Sequence, residues 1–448
     1  MLTGKTISVF KRYSLQLVLA IFLLKIGNGE EITFKNVTVS WWKDNTDQTI
    51  FGTADNLKKI IPSEEEMYVG VSGYIPVLYE QSVYEIPNLK SLHLENVSLK
   101  AIKPGAFGNL SVLQYLVLSD NNLTEIKSGT FTNLNLSEID LRMNSINSLQ
   151  TGAFKNVTLK YLRLNNNKLS EFPSNVFENV TLTGLHLYEN HIHTIAPNAF
   201  STVSMDSLNL FYNQIEKLDP EAFTNSELRT LILNYNRVKL LRAGDLKNLP
   251  QLKRLSLKNN NLTEIPEGVF NNTKITDLEL HHNKIARIAS KAFNDMSGLR
   301  GLNIAFNKLT SWDNGWLDGS SQLSVFRASF NQIAEIPDEA FKNYPRLYYL
   351  ALQENKIAKL SVKAFRKLGY VEYLSLNSNE IVSWRKDMLV NVSVGTLDLR
   401  MNKLKCIEGD LDQVFGSVID GVYLSNNPWS EGCAIKVEEF LKKKNQDV

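Results

Sequence analysis

Four side chains with acid–base or ligand chemistry fall close together at Asp277, Glu279, His281 and His282. Asp277, Glu279 and His281 alternate, so in a strand they share one face, with His282 beside them. Residues of these types suit a metal ion or a pH-responsive patch. Arg254 and Lys258 lie one stretch earlier and Arg300 one later, so a charge ladder is the more economical reading, and no metal or cofactor is expected. The chain contains neither a glycine-rich phosphate loop nor a nucleophile elbow, and no enzyme activity is expected. Its two cysteines, Cys406 and Cys433, have no nearby histidine and are too few for a thiolate metal site. In an oxidising compartment they are expected to bond to each other and close the end of the chain, contributing roughly 3 to 4 kcal/mol by the loop-entropy model. N-x-S/T occurs at Asn36, Asn96, Asn109, Asn122, Asn135, Asn156, Asn179, Asn261, Asn271 and Asn391, and most of these are expected to carry glycans.

What positions these residues is a repeat. Leu182, Leu185, Leu187 and Asn190 follow the spacing L-x-x-L-x-L-x-x-N, and the asparagine returns at 121, 144, 167, 190, 213, 236, 260, 283, 307, 331, 355, 379, 402 and 427, every 23 to 25 residues. This is the leucine-rich-repeat signature. One such unit cannot cover its own apolar face, so the units must stack. Leu185 and Leu187 point inward, while Gly184, His186 and Tyr188 point outward along a concave sheet. The asparagine is expected to bond the backbone of the turn after each strand, coil after coil. A second apolar column lies ten residues after it, at Phe131, Phe154, Phe177, Phe200, Phe223, Phe270, Phe293, Phe341 and Phe365, with Leu246 and Leu317 as substitutes. The expected fold is an α/β leucine-rich-repeat solenoid, a horseshoe with a parallel concave sheet of about sixteen short strands and a mostly irregular or short helical convex side. At roughly 4.8 Å per strand its arc runs on the order of 75 Å.

Outward positions in that frame carry Tyr115, Tyr161, Tyr188, Phe211, Tyr212, Tyr235, Phe306, Phe330, Tyr348, Tyr349 and Tyr373. Such side chains do not build the core. Rings clustered in solvent mark interfaces, although neighbouring strands also favour ring-to-ring packing for its own sake. Asn109, Asn135, Asn156, Asn179, Asn271 and Asn391 each precede a strand, so their glycans are expected along one edge, with gaps between Asn179 and Asn261 and between Asn271 and Asn391. Tyr188, Phe211, Tyr212 and Tyr235 fall in the first gap and are the expected primary contact surface, on the concave face through which a partner is expected to bind. Phe306, Phe330, Tyr348, Tyr349 and Tyr373 fall in the second.

A chain of 448 residues with a formal net charge of +2 gives no reason to expect nucleic acid or an anionic membrane as partner. Met1 to Gly29 reads as a secretory signal peptide, with Lys5, Lys11 and Arg12 ahead of the apolar run Leu15 to Leu24; a signal anchor is the competing reading. No membrane insertion is expected of the mature chain. Glu30 to Met67 lacks the repeat and is expected to cap the first coil, Ile32, Phe34, Val37, Val39 and Trp41 alternating as in a strand or hairpin. Trp41 and Trp42 offer a ligand platform as the other reading. Repeats are expected from Tyr68 to Asn427, beginning with a degenerate coil at Val69 and Val71. Pro428 to Val448 then forms a second cap, with Val437, Phe440 and Leu441 on one face of a short helix.

Repeats of this consensus, with phenylalanine in the convex column and Asn427-Pro428-Trp429 followed by Cys433, resemble the extracellular leucine-rich-repeat group of Toll-receptor ectodomains and connectin-like adhesion proteins. A leader, many repeats and few cysteines also resemble the secreted insect leucine-rich immune proteins of the coil-less type. The cysteine-rich amino-terminal cap of many relatives is missing, and only part of their four-cysteine terminal pattern remains. The resemblance implies a secreted recognition protein, acting in innate immunity, that binds a protein or glycoconjugate; the alternative is an extracellular adhesion or matrix protein. A homodimer or heterodimer is compatible with either.

Overall fold

A computed structural model describes residues 32–43, 46–61 and 67–444. The signal-peptide stretch lies outside the described residues, as do the side chain of Trp42 and the last four residues. Sixteen parallel strands, one per coil, run from Met67–Ser72 to Val418–Tyr423 and form one concave sheet. Equivalent repeat positions pair across neighbouring coils, Tyr161 with Gly184, Leu162 with Leu185 and Arg163 with His186. The alternation places Leu162, Leu185 and Leu208 wholly in the core and leaves Tyr161 39% exposed. Gly184 points outward yet is covered, because the Tyr161 ring lies over it; a Cβ there would stand 3.1 Å from that ring.

Each buried asparagine ties two coils together. Oδ1 of Asn190 accepts the N–H of Leu169 from the preceding coil, and its Nδ2 donates to the carbonyls of Leu164 and Leu187. The same three bonds recur at Asn213, Asn236, Asn283 and Asn355, among others. On the far side of the core the phenylalanine column stacks ring on ring, Phe131 on Phe154 at 5.1 Å and Phe341 on Phe365 at 5.7 Å. Phe107 extends this column by one coil, stacking on Phe131 at 5.8 Å. Where Leu317 replaces a ring, Trp312 turns its edge to Phe341 at 5.0 Å and fills the space.

The convex side is mostly turns, with short 3₁₀ segments such as Pro220–Phe223. Early coils depart from this: Phe131–Asn135, Phe154–Arg163 and Phe177–His186 are strands that pair in parallel from the phenylalanine column onward. β-Branched runs such as Val157-Thr158 and Val180-Thr181 favour extension there, and a left-handed Asn133, Asn156 or Asn179 bends each strand into the concave sheet. At the amino end β1 (Phe34–Lys43) and β2 (Thr46–Ala54) form an antiparallel hairpin. β1 pairs antiparallel with β3 (Met67–Ser72) and lays Phe34, Val37 and Val39 against the first coil. At the other end come α1 (Leu411–Val414) and α2 (Glu431–Lys443); α2 buries Val437, Phe440 and Leu441. Cys406 and Cys433 are bonded, with Cα atoms 5.4 Å apart.

Candidate recognition surface

The outward aromatics occupy several distinct repeat positions, and only some lie on strands. Tyr115, Tyr161, Tyr349 and Tyr373 stand six residues before the buried asparagine, on the concave sheet itself. Tyr188 and Phe211 stand two before it. Tyr212, Tyr235, Phe306 and Phe330 immediately precede it, in the turn at one edge, with φ of 56°, 55°, 53° and 53°. Tyr348 precedes its strand, Tyr349–Ala351. Left-handed backbone disfavours any side chain with a Cβ, and bulky rings are least at home there.

The rings gather into separate clusters. Phe211 lies 5.6 Å from Tyr212 and 5.1 Å edge-on from Tyr235, and Tyr212 stacks on Tyr235 at 5.5 Å. The Lys258 ammonium sits over Tyr235 at 5.9 Å. Tyr188 is apart from this trio, facing His186 at 6.0 Å, which in turn meets Tyr161 at 5.8 Å. Burial and the nearby Arg163 charge push the His186 imidazole below its ordinary value, while Arg163 is itself clamped by both oxygens of Glu138. Further along, His282, Phe306 and Phe330 stack almost parallel, each centroid 4.1 Å from the next. Tyr349 stacks on Tyr373 at 5.3 Å, and the Arg327 guanidinium covers Tyr349 at 5.1 Å. Tyr348 meets Tyr370 at 6.4 Å.

By residue type His282 suits a metal or pH group, whereas its place is in an aromatic column. The available signal is its repeat position, immediately before Asn283, which is the position of Phe306 and Phe330 in their coils. Burial, His281 and Lys258 hold its pKa below the ordinary imidazole value. The expected charge ladder does not form as drawn. Nδ1 of His281 approaches Oε2 of Glu279 at 2.8 Å within one coil, and among the described residues neither Asp277 nor Glu279 pairs with Arg254, Lys258 or Arg300. Arg254 lies directly beside Asp277 in register, but Asp277 takes the hydroxyl of Thr276 instead. Burial pushes Glu279 up, and bonds from His281 and Asn303 with the Arg327 charge outweigh it, leaving the carboxyl lowered. Among the described residues no three His, Cys, Asp or Glu side chains converge as a metal site.

Ser91, His93 and Glu95 form a constellation that motif reading missed. Ser91 Oγ lies 2.9 Å from His93 Nε2, and His93 Nδ1 lies 3.2 Å from Glu95 Oε2. That is the hydrogen-bond order of an acyl-transfer triad. Ser91, however, is only 2% exposed, flanked in register by Tyr68 and Tyr115. A substrate carbonyl has no approach to Oγ, so the trio serves as a structural tie along the strand.

The sequons of the repeats divide between two edges. Asn109, Asn156, Asn179 and Asn391 share one left-handed position, two residues past the phenylalanine column, with φ from 51° to 62°. Asn179 donates to Asn156 and Asn156 to Asn133, each at 3.0 Å, making an exposed side-chain ladder. Asn271 falls one residue short of that position, and Asn135 two beyond it. Asn122 and Asn261 instead follow the buried asparagines, on the edge that carries Tyr235 and His282. Asn261 is thus a sequon one coil from each of those rings.

Leucine-rich-repeat family models match most of the chain. The model described as the BspA type leucine rich repeat region matches residues 77–200 and 170–300, half of the chain, and the general leucine rich repeat model matches 273–333, 329–381 and 345–404. The chain belongs to the leucine-rich-repeat proteins. No curated protein matches it in sequence. Among solved structures, a chain of the Drosophila Toll–Spatzle complex in its glycosylated form is similar over 80% of this chain, at 20% identity and a TM-score of 0.64. This chain spans half the length of that one. A Leptospira interrogans leucine-rich-repeat protein is similar over 81% of this chain and 96% of its own, at 22% identity and a TM-score of 0.59. Likenesses at such identities concern the repeat fold. Among the described residues no helix is long and apolar enough to cross a membrane.

Proposed function

We propose that this leucine-rich-repeat chain is a secreted, non-enzymatic recognition protein of innate immunity, led by the signal peptide Met1 to Gly29. It binds a protein or glycoconjugate partner through Tyr188, Phe211, Tyr212 and Tyr235, with Phe306, Phe330, Tyr348 and Tyr349 as a second contact set. The observation that carries this reading is the solvent-facing trio of Phe211, Tyr212 and Tyr235. Tyr212 and Tyr235 hold the left-handed backbone that this position has in every coil, from Asp120 to Asn426, so the turn itself is built for the repeat and only the choice of a ring there is particular to these coils. Aromatic anchors with an overlying cation are the residues that dominate protein interfaces. Further support is that a similar solenoid occurs in the Toll–Spatzle complex, described as a hub in development and innate immunity.

The decisive experiment is affinity capture from extracellular fluid with the full chain, comparing wild type with the combined variant Tyr188→Ala, Phe211→Ala, Tyr212→Ala, Tyr235→Ala. None of these rings lies in the core, so the variant should be secreted and melt near the wild-type temperature while capturing at least tenfold less partner, a loss of about 1.4 kcal/mol. Equal capture by a normally secreted variant would place binding elsewhere.

A further inference from the structure

A formal net charge of +2 for the whole chain hides one concentrated excess. From Arg229 to Thr263 the sequence carries eight lysines and arginines against a single carboxylate, Asp245, so the remainder of the chain is net negative. Asp245 sits on the convex side, where it accepts the backbone N–H of Arg242. The concave face and rims of these two coils hold cations and no carboxylate. Arg229, Lys253 and Arg254 stand where the strands Thr230–Ile232 and Arg254–Ser256 begin, Lys258 just past the end of the second, and Arg237 on the far edge. Arg229 pairs with Asp206 at 2.8 Å. Among the described residues no carboxylate forms an ion pair with Arg237, Lys253, Arg254 or Lys258.

The two strands lie side by side, Thr230 beside Arg254 and Ile232 beside Ser256, and make a cationic band that crosses the concave face from rim to rim. Its floor is polar, with Oδ1 of Asn234 accepting from the Ser256 hydroxyl at 2.6 Å and from the Lys258 N–H at 3.0 Å. One border is acidic, since Asp277 adjoins Arg254 and Glu279 adjoins Ser256 in register. The other border is aromatic, with Phe211 and Tyr212 on the preceding coil and Tyr235 within the band, under the Lys258 ammonium. About 13 Å separates Arg254 from Lys258 at the rise of an extended chain, so one small anion cannot reach both. A protein face of ordinary size covers about 800 Å² and would lay its acidic groups over Asp277 and Glu279 as well as over the band. A single-stranded nucleic acid stacks its bases on open ring faces, whereas Tyr212 and Tyr235 already stack on each other at 5.5 Å. An extended polysaccharide meets all three limits. It is narrow, its charges recur along its length, and the C–H face of a sugar packs on an aromatic ring such as Tyr212, which is 57% exposed.

We propose that this band binds an anionic polysaccharide, lying along the strands Thr230–Ile232 and Arg254–Ser256 with its sulfates or carboxylates on Lys253, Arg254, Lys258 and Arg237 and a sugar ring against Tyr212 or Tyr235. The inference rests on the reading of Phe211, Tyr212 and Tyr235 as the recognition surface, and it names the chemistry of the partner. Asp277 and Glu279 repel the same charges and keep the polymer off the following coil. Binding is therefore set by place as well as by charge.

The test measures binding of the full secreted chain to immobilised chondroitin sulfate, with poly-glutamate and single-stranded DNA compared at equal concentrations of charge. Because a glycan at Asn261 would stand at the edge where the band ends, the Asn261→Gln form is measured alongside the wild-type sequence. Saturable binding to the polysaccharide in either form, weakened by salt and tighter than to the other two polyanions, is the expected result. Arg254→Glu with Lys258→Glu should weaken it by about tenfold or more. Lys284→Glu with Lys308→Glu reverses two exposed cations outside the band and should leave it unchanged. None of the four lies in the core, so both variants should keep the wild-type thermal midpoint. No binding in either form, equal losses from the two pairs, or tighter binding to poly-glutamate or DNA overturns the proposal. Should polysaccharide binding be absent while the alanine variant at Tyr188, Phe211, Tyr212 and Tyr235 loses its captured partner, the recognition surface stands and this inference falls. Polysaccharide binding that depends on Arg254 and Lys258, beside unchanged partner capture by the alanine variant, upholds the band and overturns the reading of the rings as the partner's site.

Discussion

Asn190 satisfies one backbone N–H and two carbonyls that no water can reach, and it is 4% exposed. Asn190→Ala would strand all three groups, a loss of about 3 kcal/mol, visible as a lower denaturation midpoint. The residue just before the asparagine obeys opposite rules, since it is exposed and left-handed. Tyr235→Asn should keep or raise the thermal midpoint, because asparagine tolerates φ near +55° better than tyrosine, while partner capture falls. If capture falls together with stability, the ring belongs to the scaffold and not to the surface. Titration adds a third expectation. His186 and His282 both have lowered pKa values, from burial first and then from Arg163 or from His281 and Lys258. Folding then disfavours their charged forms, so the stability they contribute is present above the ordinary imidazole value and is lost as pH falls through it. A thermal midpoint that drops between neutral and mildly acidic pH, and drops less in His186→Gln, is the expected profile.

At the scale of elements, stacked columns do what a globular core does elsewhere. Phe154 lies wholly buried between Phe131 and Phe177, and Phe154→Ala should cost about 3 to 5 kcal/mol because its neighbours are fixed by their own coils. The terminal coil has no following neighbour and is held instead by α2 and the bond between Cys406 and Cys433, which closes a separation of 27 residues. Replacing both cysteines by serine should destabilise that end by roughly 3 kcal/mol. In a solenoid the damage should stay local, so hydrogen exchange is expected to speed in Val418–Tyr423 and α2 while the middle coils keep their protection.

For the molecule as a whole, stacking in one dimension separates stability from recognition. Each coil's inward residues answer only to the neighbouring coils, and its outward residues are free to vary. That freedom lets rings accumulate at Phe211, Tyr212 and Tyr235 and again at His282, Phe306 and Phe330 without disturbing the leucines beneath. Glycans at the sequons would narrow the rest of the accessible surface. If Asn261 carries one, it stands between the two aromatic groups, and Asn261→Gln should strengthen capture of a partner large enough to span both. Binding that is unchanged in this variant would confine the partner to one group.

The spacing of Leu185, Leu187 and Asn190, repeated fourteen times at the asparagine, was enough to determine the solenoid, its strand count and which residues face the core. A period encodes local structure directly, because each coil is a short-range unit whose alternation and turn chemistry lie within about 24 residues. The same period could not say how outward residues divide. Phe211 and Tyr212 are neighbours in sequence, yet Phe211 lies just past the strand Val203–Asn209 and Tyr212 turns left-handed, so the two leave the backbone in different directions. Nor could it foresee that Asp277 would decline Arg254 for Thr276, or that Ser91, His93 and Glu95 would join in a line. Those outcomes depend on rotamers and on which of several reachable partners each side chain takes, and only the stacked coils fix that choice.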